Sequence, residues 1–144
     1  MTTMPPLLAL AAGRKVRPRK APAIRPRESR LQIDVAKLLD DYGRQDWRFT
    51  HFPAGEKRDV VTGARLKRYG LKPGWPDFLL LDPDGRLHCL ELKRQGETLS
   101  DPQQDFWRFC IRAGVPHSTC RTIDEVLTVF DRWKCLRIRI GGAR

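Results

Sequence analysis

An α/β fold in the order helix, three strands, helix, strand and a further terminal helix is predicted by three observations on the sequence. Phe78 to Leu81 is an apolar run, and Asp82-Pro83-Asp84-Gly85, a turn composition that folds the chain back, separates it from the strand that carries Glu91 and Lys93, so the two read as an antiparallel hairpin. Leu31, Val35, Leu38 and Leu39 recur at helical spacing. Ser100 to Gln103 and Thr122 to Glu125 both have the spacing of a capping box, which starts a helix.

Taken in order, Met1 to Arg27 is rich in Pro, Arg and Lys and has no periodicity, so it is expected to be a disordered basic tail in loose contact with phosphates. Ser29 is expected to cap the first helix, which ends at Gly43. Trp47 to Phe52 alternates as a strand does. Pro53 to Gly74 has glycines and few apolar residues, and it reads as a long cationic loop carrying Lys57, Arg58, Arg65, Lys67, Arg68 and Lys72. Phe78 to Leu81, continuously apolar, is expected in the middle of a sheet and buried on both faces. The helix capped at Ser100 should run to about Ala113, with Gly114 as its stop and Phe106, Phe109, Cys110 and Ala113 in the core. Val115 to Cys120 reads as a strand, and Val126, Val129, Phe130 and Trp133 mark the last helix. Leu136 to Ile140 alternates apolar residues with Arg and is expected to form a short edge strand.

The chain has 144 residues, enough for one domain with a real hydrophobic core. Its net charge of +11 and pI near 10.2 point to a polyanionic partner, most often nucleic acid. No apolar run is long enough to span a bilayer, and the apolar residues 7–12 precede the basic ones, the reverse of a secretory signal. Cys89, Cys110, Cys120 and Cys135 are neither closely paired nor joined by His at zinc-ligand spacing, which argues against a disulfide framework or a zinc site and for a reducing cytoplasm. Cys89 is expected to pack rather than react.

The chemistry concentrates in Gly74 to Gln95. The predicted hairpin brings Asp77 near the second strand, where alternation sets Cys89, Glu91 and Lys93 on one face and Leu90 and Leu92 on the other. An Asp and a Glu-x-Lys trio are most often a solvated ion pair. Here they border an apolar strand, and two carboxylates with an ammonium suit Mg²⁺ or Mn²⁺ and a phosphate substrate.

These motifs, with Glu28, GWPD (Gly74 to Asp77), ELK (Glu91 to Lys93) and LSDPQ (Leu99 to Gln103), resemble the PD-(D/E)xK nuclease superfamily and, within it, the stand-alone VRR-NUC domains of phages and bacteria. The resemblance implies a restriction-endonuclease-like αβββαβ core, a mixed sheet flanked by helices, with an added C-terminal helix. The implied organisation is a tail over residues 1–27, a nuclease domain over 28–135 and a basic extension over 136–144. It also implies a Mg²⁺- or Mn²⁺-dependent phosphodiesterase in which Asp77, Glu91 and the main-chain carbonyl of Leu92 hold the metal, Lys93 is the catalytic lysine, and Glu28 completes the site. Glu28 is equally explained by the helix dipole. Gln103 matches a glutamine near the active site, although the capping box accounts for it too; His51 and Arg58 match a polar substrate region. The substrate implied is branched DNA such as a four-way junction, cut by a homodimer. A catalytically silent DNA-binding module and an RNA-processing nuclease are the competing expectations.

Overall fold

The computed structural model describes residues 27–53 and 59–139, with side chains from Ser29 onward. The element order is α1 (Arg27–Tyr42), β1 (Arg48–His51), α2 (Val60–Arg68), β2 (Phe78–Leu81), β3 (Leu87–Leu92), α3 (Asp101–Ala113), β4 (His117–Cys120) and α4 (Ile123–Trp133). The strands form one mixed sheet in the order β1-β2-β3-β4, antiparallel up to β3 and parallel between β3 and β4. The parallel step is made by α3, because two parallel neighbours need a crossover.

Alternation along the strands divides the sheet into two faces. Phe78, Leu80, Leu90, Leu92 and Cys120 join Val35 and Leu39 of α1 and Val126, Val129 and Phe130 of α4 in one buried cluster. Each fully buried Leu or Phe contributes about 1.5–3 kcal/mol. The opposite face carries Cys89 and Glu91, and α3 covers it through Gln103 and Cys110. Burial pushes the Cys89 thiol up to about 12, with Cys110 beside it adding to the rise, so Cys89 packs as expected and is no nucleophile.

The hairpin forms at the expected turn. Asp82 Oδ1 accepts the N–H groups of Asp84 and Arg86, both at 2.9 Å, and Gly85 supplies the positive φ of 79° that the reversal needs. Asp82 Oδ2 lies 3.0 Å from His88 Nε2, and that hydrogen bond holds the Asp82 carboxyl below its ordinary range. His88 is itself packed between Trp47 and Trp133.

Four expectations need correction. Ser29 lies inside α1, which starts at Arg27; Arg-Glu-Ser contains no helix breaker, and a Glu is favourable in a first turn. Residues 53–74 are not all loop, because α2 occupies nine of them. This helix buries none of its residues, and Val60 and Val61 are 88% and 79% exposed. It is held by its ends instead: Asp59 Oδ1 accepts the Thr62 N–H, while Arg65, Lys67 and Arg68 complement the dipole in the last turn. A search for an apolar stripe cannot find such a helix. On α3, Cys110 is buried and Phe106 partly so, but Phe109 is 55% exposed and Ala113 is exposed, since only one stripe of the helix meets the sheet. Within residues 136–139, finally, the expected edge strand reduces to a single bridge between Leu136 and Gly43. Arg137 gives its backbone N–H to Tyr42 O and its guanidinium to Asp41 O, so this segment ties to the end of α1 and not to the sheet. Ile140 and residues 1–26 lie outside the described residues.

Beta2 also departs in degree from the expected double burial: Phe78 and Leu80 are buried, whereas Leu81 is 45% exposed. The strap leading into it is fixed by Gly74, whose φ is 89° and whose Cα passes so close to α3 that an added Cβ would strike the Pro102 carbonyl. Gly74→Ala is expected to cost about 1–3 kcal/mol from overpacking and strain. Gly70→Ala, at φ 100° with open space around the new Cβ, should cost less in the same urea titration. An equal loss at both positions would show that contact with Pro102 is not the constraint.

Candidate active site

Asp77 ends the strap and begins β2. Its carbonyl accepts the Phe52 N–H at 2.7 Å and lies 2.8 Å from His51 Nδ1. A carbonyl only accepts, so His51 donates from Nδ1 to Asp77, and the Gln32 amide nitrogen lies 3.1 Å from its Nε2. Gln32 on α1, His51 on β1 and the Asp77 backbone thus form one relay. His51, expected near substrate, is half-buried and positions the Asp77 main chain.

The Asp77 side chain has a structural task as well. Backbone groups of even-numbered β3 residues face β2, and Leu92 lies past the end of the β2 ladder, whose last pair is Phe78 with Leu90. Asp77 Oδ2 accepts the stranded Leu92 N–H at 2.7 Å. Because the N–H and C=O of one strand residue address the same neighbour, the Leu92 carbonyl is directed to the Asp77 side too.

Continuing the register by one residue sets Asp77 opposite Glu91, on the face that carries Cys89 and α3. Glu91 is only 3% exposed. Its Oε1 accepts from Gln103 Nε2 at 2.6 Å and lies 3.2 Å from Lys93 Nζ. A buried carboxylate is costly without such partners, and these are charge-assisted. Gln103 meanwhile takes the Ser100 N–H on its Oε1 at 2.9 Å, so its cap role and its contact with Glu91 coexist. The amide bridges the start of α3 to the end of β3.

Asp77, Glu91, Lys93, Gln103 and the Leu92 backbone are therefore brought together by β2, β3 and α3. The oxygens on offer are hard donors, the chemistry that Mg²⁺ or Mn²⁺ takes. Among the described residues no group of three or more His, Cys, Asp or Glu side chains could hold a metal ion. Two carboxylates supplemented by a main-chain oxygen fit an ion that keeps waters and takes its remaining ligands from substrate. The side chain of Glu28 and the residues Lys57 and Arg58 lie outside the described residues. Arg65, Lys67 and Arg68 on α2 and Lys72 just beyond it are exposed.

Gln32 was not singled out in the sequence. The available signal was its spacing, one helical turn after Glu28 and so on the same face of α1.

The four-stranded mixed sheet, helices on both faces and paired carboxylates at the end of the central strands define a restriction-endonuclease-like α/β domain of the nuclease type. A family model described as the VRR-NUC domain matches residues 26–123. The chain belongs to the VRR-NUC family. No curated protein and no solved structure gives a significant match to it.

Substitutions at two positions separate the structural and chemical parts of the site. Asp77→Asn keeps a side-chain oxygen for the Leu92 N–H, whereas Asp77→Ala strands it; thermal unfolding should show a loss of about 1–3 kcal/mol for Ala and little for Asn. Gln103→Glu keeps the acceptor for the Ser100 N–H but sets a second carboxylate against Glu91. The variant should fold, and its nuclease rate should fall about 10–100-fold; an unchanged rate would reduce Gln103 to a helix cap.

Proposed function

We propose that the chain hydrolyses phosphodiester bonds in DNA, with Mg²⁺ or Mn²⁺ held by Asp77, Glu91 and the Leu92 carbonyl. The observation that carries this is the buried Glu91, placed across the hairpin from Asp77 with Lys93 Nζ on its Oε1. A carboxylate buried to this degree has no packing reason to be in a sheet. When bound, the ion would polarise the phosphate and lower the pKa of a coordinated water.

The side chains supply position and charge. Gln103 fixes the Glu91 carboxylate, and the Leu92 N–H fixes that of Asp77, so neither must reorganise as the phosphate arrives. Lys93 puts a positive charge beside the reacting phosphate, where negative charge accumulates during in-line displacement. The Gln32–His51 relay holds the Asp77 backbone. Glu28 is a further ligand in this reading, supported by its place one turn before Gln32. The exposed cations Arg65, Lys67, Arg68 and Lys72, with Lys57 and Arg58 between β1 and α2, are assigned to the DNA backbone; the net charge of +11 supports the assignment.

Branched DNA as the substrate, and a homodimer whose two sites make paired cuts, belong to the same proposal and rest on the family resemblance. No described helix is long and apolar enough to cross a membrane.

The test is cleavage of end-labelled linear, flap, single-stranded and four-way-junction DNA with Mg²⁺, Mn²⁺ or EDTA. Glu91→Ala should slow cutting by about three orders of magnitude, the worth of several kcal/mol of metal-assisted charge stabilisation, and leave DNA binding in EDTA largely intact. Lys93→Met should lower turnover more than affinity. Retained cleavage in Glu91→Ala would remove it from the site, and tight binding without cutting under either metal would favour the silent binding module.

A further inference from the structure

Beside the carboxylates, on the same face of the sheet, lies a cavity of about 500 Å³ lined by Leu99, Gln104, Trp107, Arg108, Thr119 and Arg121. Its size falls in the roughly 300–1,000 Å³ range of small-molecule sites. Two connections tie it to the active site. Thr119 is the register partner of Glu91 in the parallel β3–β4 pair, one strand spacing away. Gln104 directly follows Gln103, whose amide holds Glu91, and its own amide donates to the Leu99 carbonyl at 3.0 Å, which closes the near wall.

The lining has a consistent chemistry. Gln104, Trp107, Arg108 and Ile111 form one stripe of α3, at spacings that set them beside the stripe of Gln103, Phe106 and Cys110 facing the sheet. Trp107 is 39% exposed and Ile111 58%, so this stripe overhangs the sheet edge without being covered by the described residues. Arg121 is held in place by donating to the Glu97 carbonyl at 2.7 Å. Beta4 is the edge strand, and its even-numbered backbone groups face β3, as shown by Cys89 N–H to Pro116 O and Lys93 N–H to Cys120 O. The N–H and C=O of Thr119 therefore point outward, to the rim of the cavity. An indole face, two guanidinium groups and an unshared backbone edge in one concavity match the parts of a nucleotide: stacking for the base, positive charge for phosphate, and donors and acceptors for a base edge.

We propose that this cavity is a subsite for one unpaired nucleotide of the strand adjoining the cleaved bond, its base stacked on Trp107 and its phosphate facing Arg108 and Arg121. The proposal rests on the nuclease reading and deepens it, since it makes a locally unpaired strand part of what is recognised. A continuous duplex keeps its bases stacked inside the helix and leaves the cavity empty. Trp107 acts in binding and takes no part in the chemistry.

The test measures binding in EDTA, so it does not depend on turnover. A short oligothymidylate and a duplex of equal length are titrated separately against the wild-type chain, Trp107→Ala and Trp107→Phe, by fluorescence anisotropy of the labelled DNA. Trp107→Ala should weaken oligothymidylate binding about tenfold, the worth of one base–aromatic stack, leave duplex binding within about twofold, and be largely rescued by Trp107→Phe. Arg121→Gln should weaken the same single-strand binding and reduce its salt dependence. An unchanged affinity in Trp107→Ala, or an equal loss on duplex and single strand, overturns the subsite. A changed sedimentation coefficient with unchanged affinity also overturns it and assigns the stripe to contact between copies of the chain. If no DNA is cut under Mg²⁺ or Mn²⁺ while the Trp107 effect on binding persists, the nuclease reading falls and the subsite stands.

Discussion

The hydrogen bond from the Leu92 N–H to Asp77 Oδ2 joins the two strands just where their backbone ladder runs out. Beyond the Phe78–Leu90 pair, β3 continues toward Lys93 with β4 on one side only, and a carboxylate side chain stands in for the missing β2 partner on the other. That substitution keeps the register through one more position and so places Asp77 across from Glu91. Everything else at the site is built on this fixed pair: the Gln103 amide and Lys93 ammonium on Glu91 Oε1, and the Gln32–His51 relay behind the Asp77 backbone. The geometry has a chemical consequence as well. A carboxylate already oriented by a backbone N–H needs little rearrangement to share a charged ligand.

The same end of the molecule shows how the sheet pays for a buried charge. Glu91 sits at 3% exposure in a strand whose neighbours Cys89, Leu90 and Leu92 are fully buried. Among the described residues, stabilising partners include Lys93, two residues along the same strand face, and Gln103, from the first turn of α3. Gly74 lets the strap before Asp77 pass against Pro102, immediately before Gln103. The glycine of GWPD and the glutamine of LSDPQ are thereby coupled through a contact between the strap and the helix start.

Much of this was legible in the sequence because it follows from short-range rules. The turn at residues 82–85 fixed the hairpin, alternation separated Glu91 from Leu90 and Leu92, and the spacing of Ser100 and Gln103 located α3. What escaped was held by other forces. Alpha2 buries nothing, so its two exposed valines and its terminal charges left no periodic apolar signal. The segment after α4 looked like an alternating strand, but its backbone groups are taken by the carboxyl end of α1. Phe109 shares helical spacing with the core yet faces outward, because periodicity gives the stripe and not which stripe meets the sheet. The second role of His51 needed Gln32, 19 residues away in sequence and adjacent only after folding.

The central claim is that Asp77 and Glu91 act as one divalent-ion site. Its most direct test is isothermal titration of Mn²⁺ into the chain beside Asp77→Asn and Glu91→Gln, two variants that conserve shape and keep one side-chain acceptor oxygen while removing the charge. The account predicts saturable binding by the wild-type chain that each neutral variant loses or weakens by at least about tenfold. Mn²⁺ binding that both variants retain at full strength would contradict it.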